Sequence, residues 1–228
     1  MDNGIIVSST LSSILINWTF ITLDARGRSG ECALGINNRT TRMINCWGRE
    51  GVLGMDINIS NSETPFTLIN VYRPCSNRRV FWHSLLNFSL FDHPHVIMGG
   101  DLNFSLGISE SWGTNAIPNP LADYIITSLE QVDLIDMQMP KLLPTWRNHR
   151  TGDAALARRL DIFLITLPLL QSLEKFQQWV GHGSMSDHSP VFLDFEIGPK
   201  HARPPFKFNS IWLLDPKYQV VQEWQHYQ

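Results

Sequence analysis

Short apolar runs separated by turn residues dominate this chain, and helical periodicity is confined to two places. The run 18–23 is β-branched and aromatic, and 32–36 is short and apolar. Met55, Ile57 and Ile59 alternate within 54–59, the period-two signature of a half-buried strand. A further strand is predicted over 65–72, stopped by Pro74. Turns are predicted at 25–30 and at Asn37-Asn38. Beyond Pro74, Phe81, Leu85 and Phe88 share a helical face within 79–88. Leu121, Ile125, Leu129 and Val132 mark a second helix over about 121–131. Strands at 95–98 (ending at Gly99-Gly100), 160–164, 176–180 and 191–195 complete the pattern. Many short strands with few helices between them predict an α+β fold: two packed sheets with helices outside, not a Rossmann-type parallel sheet.

A chain of 228 residues supports one substantial core. The predicted domain covers 1–197. Residues 198–228, broken by Pro199, Pro204 and Pro205, read as a linker or tail leading to a further region. With 43% hydrophobic and only 17% charged residues, the composition is globular. The net charge of -3 argues against tight binding of duplex DNA, where neutralised phosphates supply much of the affinity. Cys32, Cys46 and Cys75 form no CxxC pair and read as reduced thiols of an intracellular protein. The start has no positively charged region, and serines interrupt its apolar run, so it does not read as a secretion signal. No stretch has the 18 uncharged apolar residues of a membrane span.

Polar residues gather at strand ends. Gly100-Asp101-Leu102-Asn103 follows a buried strand directly, so the Asp101 carboxylate and the Asn103 amide can face one cleft. There Asp101 could orient or deprotonate a water and Asn103 donate to a phosphate oxygen. An ordinary Asx-turn explains the same residues. Ser186-Asp187-His188 precedes the last strand, where Asp187 and His188 could hold a metal or a phosphate. Asp161, opening the strand at 160–164, could orient His188 from the far side, or form a surface salt bridge with Arg159. Thr145-Trp146 reads as core or substrate-facing. Tyr72 ends a strand with a hydroxyl suited to a phosphate or leaving group, or simply packs.

In this order the segments resemble the endonuclease/exonuclease/phosphatase family, the DNase I-like fold, over residues 66–196. They are Tyr72, Gly100-Asp101-Leu102-Asn103, Thr145-Trp146, Arg159-Leu160-Asp161 and Ser186-Asp187-His188. Within that family the chain resembles the endonuclease domain of plant non-LTR (LINE-type) retrotransposon polyproteins. That likeness rests on Ile69-Asn70-Val71-Tyr72-Arg73-Pro74, the stretch 24–30, Leu134-Ile135-Asp136, and the tail with Pro205-Phe206-Lys207-Phe208 and Trp212.

The resemblance implies a four-layered α/β sandwich of two mixed sheets flanked by helices. It implies Mg²⁺-dependent (or Mn²⁺-dependent) hydrolysis of DNA phosphodiesters, leaving a nick with a 3′-hydroxyl. Asp101 would align and activate the attacking water, with Asn103 holding the phosphate. His188, oriented by Asp161, would polarise the scissile phosphate, and Tyr72 would bind phosphate or assist the leaving oxygen. Asp187, with Asp101, would serve the metal or its water shell.

The chain departs from the family pattern in three places. Leu102 replaces a phenylalanine, and Glu31 replaces a glycine. The family's opening strand–helix–strand, whose Gln-Glu supplies the principal metal ligand, has no counterpart before Trp18, although 5–7 or 14–16 could patch a sheet edge. The resemblance therefore implies a weakly bound metal and impaired nicking, in an intracellular protein with access to the nucleus that touches DNA transiently. Two other classes fit the same residues: an active phosphatase or phosphodiesterase for a lipid or small nucleotide, and a non-catalytic binding module or non-functional retroelement fragment.

Overall fold

The computed structural model describes residues 3–24, 32–60, 62–72, 77–87, 91, 93–183 and 186–198, with the backbone alone for 3–7. The turn expected at 25–30, Glu31, Phe88 and the tail from 199 lie outside the described residues. The chain divides into two compact units, Met1–Ile197 and Gly198–Gln228. Every described strand and helix belongs to the first.

The centre of that first unit is a six-stranded sheet in which alternation buries both faces. The strands are β3 (Thr41–Arg49), β4 (Val52–Ile59), β5 (Phe66–Val71), β6 (Val96–Asp101), β8 (Leu134–Asp136) and β11 (Asp161–Thr166), in the order β3-β4-β5-β6-β11-β8. All neighbours are antiparallel except β5 and β6, which run parallel. A parallel pair needs a crossover, and α2 (Arg78–Leu86) lies within it. Ile69, Val71, Met98 and Leu164 point to one face, where Trp82 and Leu85 of α2 and Ile125 and Leu129 of α3 (Ala122–Gln131) cover them. Phe66, Ile97 and Ile165 point to the other face.

That second face is covered by two strand pairs. β1 (Trp18–Leu23) with β2 (Cys32–Asn37) brings Ile21 and Ile36, and β12 (Leu173–Val180) with β13 (Val191–Ile197) brings Leu193 and Phe195. A short helix α4 (Leu167–Ser172), with Pro168 in its first turn, adds Leu169. Outside β1 lies α1 (Asn3–Ile14), tied to it by the Ser8 hydroxyl, which donates to the Phe20 carbonyl at 3.2 Å. The result is an α+β fold of mixed sheets flanked by helices, with the layers of a DNase I-like sandwich.

Three expectations change. Residues 5–7 and 14–16 extend no sheet edge: 5–7 are helical, and Ile14, Leu15 and Ile16 are exposed at the end of α1. β6 does not stop at the glycines but continues through Gly100 to Asp101. On α2 the deeply buried aromatic is Trp82, while Phe81 is only partly covered.

β6 reaches Asp101 because Gly100 has no side chain. Its φ is +129°, and a Cβ there would lie 2.3 Å from the Val71 carbonyl oxygen and 2.7 Å from Asn70 Oδ1. The parallel strand β5 passes too close for any other residue. A small sheet at this end, β7 (Ser111–Trp112), β10 (Ala157–Arg158) and β9 (Trp146–Arg147), is ordered β7-β10-β9 and supports the loops around the site.

Candidate active site

The ladder between β6 and β11 places Asp161 directly opposite Asp101. Like charges in that relation repel, and the His188 imidazole lies against both. Its Nδ1 donates to Asp161 Oδ2 at 2.9 Å, and its Nε2 lies 3.9 Å from Asp101 Oδ2. The hydrogen bond to Asp161 raises the His188 pKa above 6.5. Partial burial opposes this, and the charges of Asp161, Asp101 and Asp187 add to it.

The segment carrying His188 is fastened to β9 by its backbone. The N–H of Ser189 donates to the Thr145 carbonyl at 2.7 Å, and that of Arg147 donates to the Asp187 carbonyl at 2.9 Å. Thr145 is fully buried, and its Oγ1 accepts the N–H groups of both Leu160 and Asp161 at 2.9 Å. One threonine therefore holds the start of β11 with its hydroxyl and the His188 segment with its carbonyl. Trp146 is half-buried and belongs to the site's rim: its Nε1 donates to Asp187 Oδ2 at 2.8 Å. This bond is the main cause of an Asp187 pKa below 3.8.

On the other side, Asp101 makes the Asx-turn that its sequence allows. Oδ1 accepts the Asn103 N–H at 3.1 Å and Oδ2 accepts the Asn103 amide at 2.9 Å, with Asn103 in the left-handed region at φ 51°. The turn does not remove Asp101 from the cleft, because the same carboxylate faces His188. The Arg78 guanidinium donates to the Asn103 carbonyl. Tyr72 is half-buried, its N–H on the Gly51 carbonyl at 2.9 Å, and its hydroxyl takes no part in the hydrogen bonds joining Asp101, Asn103, Asp161 and His188.

Arg159 does not pair with Asp161 on the surface. Its side chain is completely buried, forked onto Asp136 at 2.6 and 2.8 Å and joined to Glu110 at 2.6 Å. Asp161 is thereby left to His188.

A magnesium ion asks for about six oxygen ligands in an octahedron. Among the described residues, no three His, Cys, Asp or Glu side chains form a group able to hold a cation. The carboxylates that do gather are engaged: both oxygens of Asp101 with Asn103, and one oxygen each of Asp161 and Asp187 with His188 and Trp146. This donor set does not fit the divalent cation typical of the enzymes in which the DNase I-like fold performs hydrolysis.

The family model described as endonuclease-reverse transcriptase matches residues 66–192, more than half of the chain. The chain belongs to the endonuclease/exonuclease/phosphatase superfamily. Solved members share its fold at low identity. The endonuclease domain of TRAS1, a telomere-specific non-LTR retrotransposon, is 13% identical with a TM-score of 0.64, over 87% of this chain and 93% of that one. The 3′-5′ exonuclease NExo from Neisseria meningitidis is 16% identical with a TM-score of 0.58, over 83% of each chain. The AP endonuclease LMAP from Leishmania major is 15% identical with a TM-score of 0.59, over 81% of this chain and 72% of that one. No curated protein matches the chain.

Within this superfamily fold, the sequence sets Asp101, Asn103, Asp161, Asp187 and His188 beside separate strands; the structure brings Asp101, Asn103, Asp161 and His188 into one cluster, with Asp187 beside His188 and bonded to Trp146. Sequence reasoning missed the anchoring roles of Thr145 and Arg159. A buried strand that opens with an arginine needs acidic partners, and that requirement was the available signal for Glu110 and Asp136.

Proposed function

We propose that this domain is a phosphodiester hydrolase of the DNA-nicking type whose proton-handling half is assembled and whose cation-holding half is incomplete, so that turnover is feeble or nil. The observation that carries the reading is His188 lying between Asp161 and Asp101. An imidazolium anchored at Nδ1 keeps its Nε2–H for a non-bridging phosphate oxygen, and stabilises the charge that develops there as the phosphate is attacked. The Asp101 carboxylate, beside it, suits alignment of the attacking water and acceptance of its proton. The Asn103 amide suits a second phosphate oxygen. A divalent cation would supply Lewis-acid stabilisation of the leaving oxygen, but the donors present do not fit one.

DNA is the favoured substrate. The endonuclease-reverse transcriptase model matches the chain, and a related fold, D. rerio TDP2, was crystallised with a single-stranded DNA product. The net charge of -3 suits transient contact. A DNA substrate also implies work inside the cell, with access to the nucleus.

The test is nicking of supercoiled plasmid with Mg²⁺ or Mn²⁺, using the wild type, Asp101→Ala and His188→Ala. Conversion at or near background, unaltered in either variant, is expected. Strong nicking abolished by both substitutions would overturn the impaired half of the reading and keep the chemistry. Strong nicking that survives both would overturn the site.

A further inference from the structure

Arg159 does more than neutralise two acids. Its guanidinium has no exposure to solvent, and Glu110 is almost as deeply buried. Nη1 donates to Glu110 Oε1 at 2.6 Å and to Asp136 Oδ2 at 2.8 Å, while Nη2 donates to Asp136 Oδ1 at 2.6 Å. Burial works against the charge of Arg159, and the two carboxylates outweigh it, holding its pKa above the ordinary value. Buried ion groups of this kind are often no more stable than apolar replacements. Stability alone is therefore a poor account of it, and the geometry it imposes is a better one.

That geometry concerns the loop from Leu102 to Glu110. Its far end is fixed twice to Arg159: by the ion pair, and by the Arg159 N–H on the Glu110 carbonyl at 3.0 Å. Its near end is fixed to the next residue, the Leu102 N–H donating to the Leu160 carbonyl at 3.0 Å. The residue after that, Asp161, holds His188. Glu110 also closes the loop on itself, its Oε2 accepting the Leu106 N–H at 2.6 Å. Three consecutive residues thus hold the loop's far end, its near end and the imidazole. Asn103, in the left-handed region at φ 51°, lies inside the clamped loop.

We infer that Arg159 is a positioning residue, which through Glu110 fixes the loop that holds the Asn103 amide on Asp101 Oδ2, the oxygen that faces His188. The catalytic meaning of that position rests on the function proposed above; the positioning itself does not. Lys in place of Arg159 keeps the charge but loses the planar fork that reaches both acids at once. Glu110→Gln keeps the shape and removes one charge.

The experiment is NMR on the metal-free protein, reading the Asn103 side-chain amide signals and hydrogen exchange at the Leu106 N–H. In folded Arg159→Lys and Glu110→Gln, the Asn103 signals are expected to move towards those of a free amide. Leu106 is expected to exchange about tenfold faster or more. Unchanged Asn103 signals and Leu106 exchange in either folded variant would overturn the inference and leave the Arg159–Glu110–Asp136 cluster a purely structural one. If neither variant folds, native-state exchange of the wild type decides. Leu106 exchanging together with Leu160 supports the clamp, and Leu106 exchanging far faster overturns it. None of these readings requires DNA cleavage, so an inactive protein would defeat the proposed function without touching this result.

Discussion

Asp101 and Asp161 face one another across neighbouring antiparallel strands, and a single imidazole, that of His188, stands within reach of both. The arrangement turns a repulsion built into the sheet into a proton-binding site. It also makes His188 the group whose titration reports whether the two strands are in register.

Asp161→Asn removes the larger of the influences that raise the His188 pKa. An NMR titration of the His188 ring should show its pKa falling towards 6.5. A pKa that stays put would assign the shift to Asp101 and Asp187 instead.

Stability should depend on pH on the alkaline side of 6.5. The folded state binds the His188 proton more tightly than the unfolded chain, so the stabilisation is complete below 6.5 and is lost as pH rises through the raised folded value. Asp187 acts in the opposite sense: its contribution is present above 3.8 and is lost as pH falls through its lowered value. Urea midpoints measured across this range should decline on the alkaline side for the wild type and flatten there for His188→Gln.

Thr145→Val is nearly isosteric but leaves the N–H groups of Leu160 and Asp161 without their acceptor. A loss of about 2–6 kcal/mol is expected by urea denaturation, at about 1–3 kcal/mol for each of the two donors left unpaired. Thr145→Ser should recover most of it, because the hydroxyl carries the effect.

Gly100→Ala puts a methyl group against the Val71 carbonyl at a φ of +129°. The two strands must separate or the backbone must turn, at a cost of about 1–3 kcal/mol or more. The effect should appear as a lower Tm together with loss of the His188 shift, since Asp101 is the next residue.

Magnesium at about 10 mM should leave the Tm unchanged, since a cation must bind the folded state preferentially to raise it. A rise of several degrees would show that Asp101, Asp161 or Asp187 exchanges its present partner for the ion.

The sheet's central strands were legible because their apolar residues alternate between two buried faces, as Phe66, Ile69 and Val71 do. β3 was not, because its side chains are half-exposed or exposed along the whole strand, so no alternation marks it. Ile5-Ile6-Val7 has the composition of a strand and forms a helix; local preference is a weak guide that the rest of the fold overrides. Among the site residues, Asp101 and His188 were legible from their places beside strands. The Thr145 bonds join positions 15 and 16 residues apart and leave no local mark. The alternative pairing of Arg159 with Asp161 fails for a related reason: Asp161 is its nearest acid in sequence, whereas the fold brings Asp136 and Glu110 to it.

The parallel pairing of β5 with β6 has a kinetic consequence. Parallel strands cannot zip from a tight turn, so β6 waits on closure of a long crossover before β11 can dock. The bonds that finish the job span still greater intervals: 27 positions from Asp161 to His188, 49 from Glu110 to Arg159 and 70 from Val96 to Thr166. Each closure costs chain entropy before any contact repays it. The helices can form early, while the cleft, which needs every one of these closures, is expected in the slowest phase of refolding; a chain interrupted before that phase would carry all of these residues without the geometry that joins them.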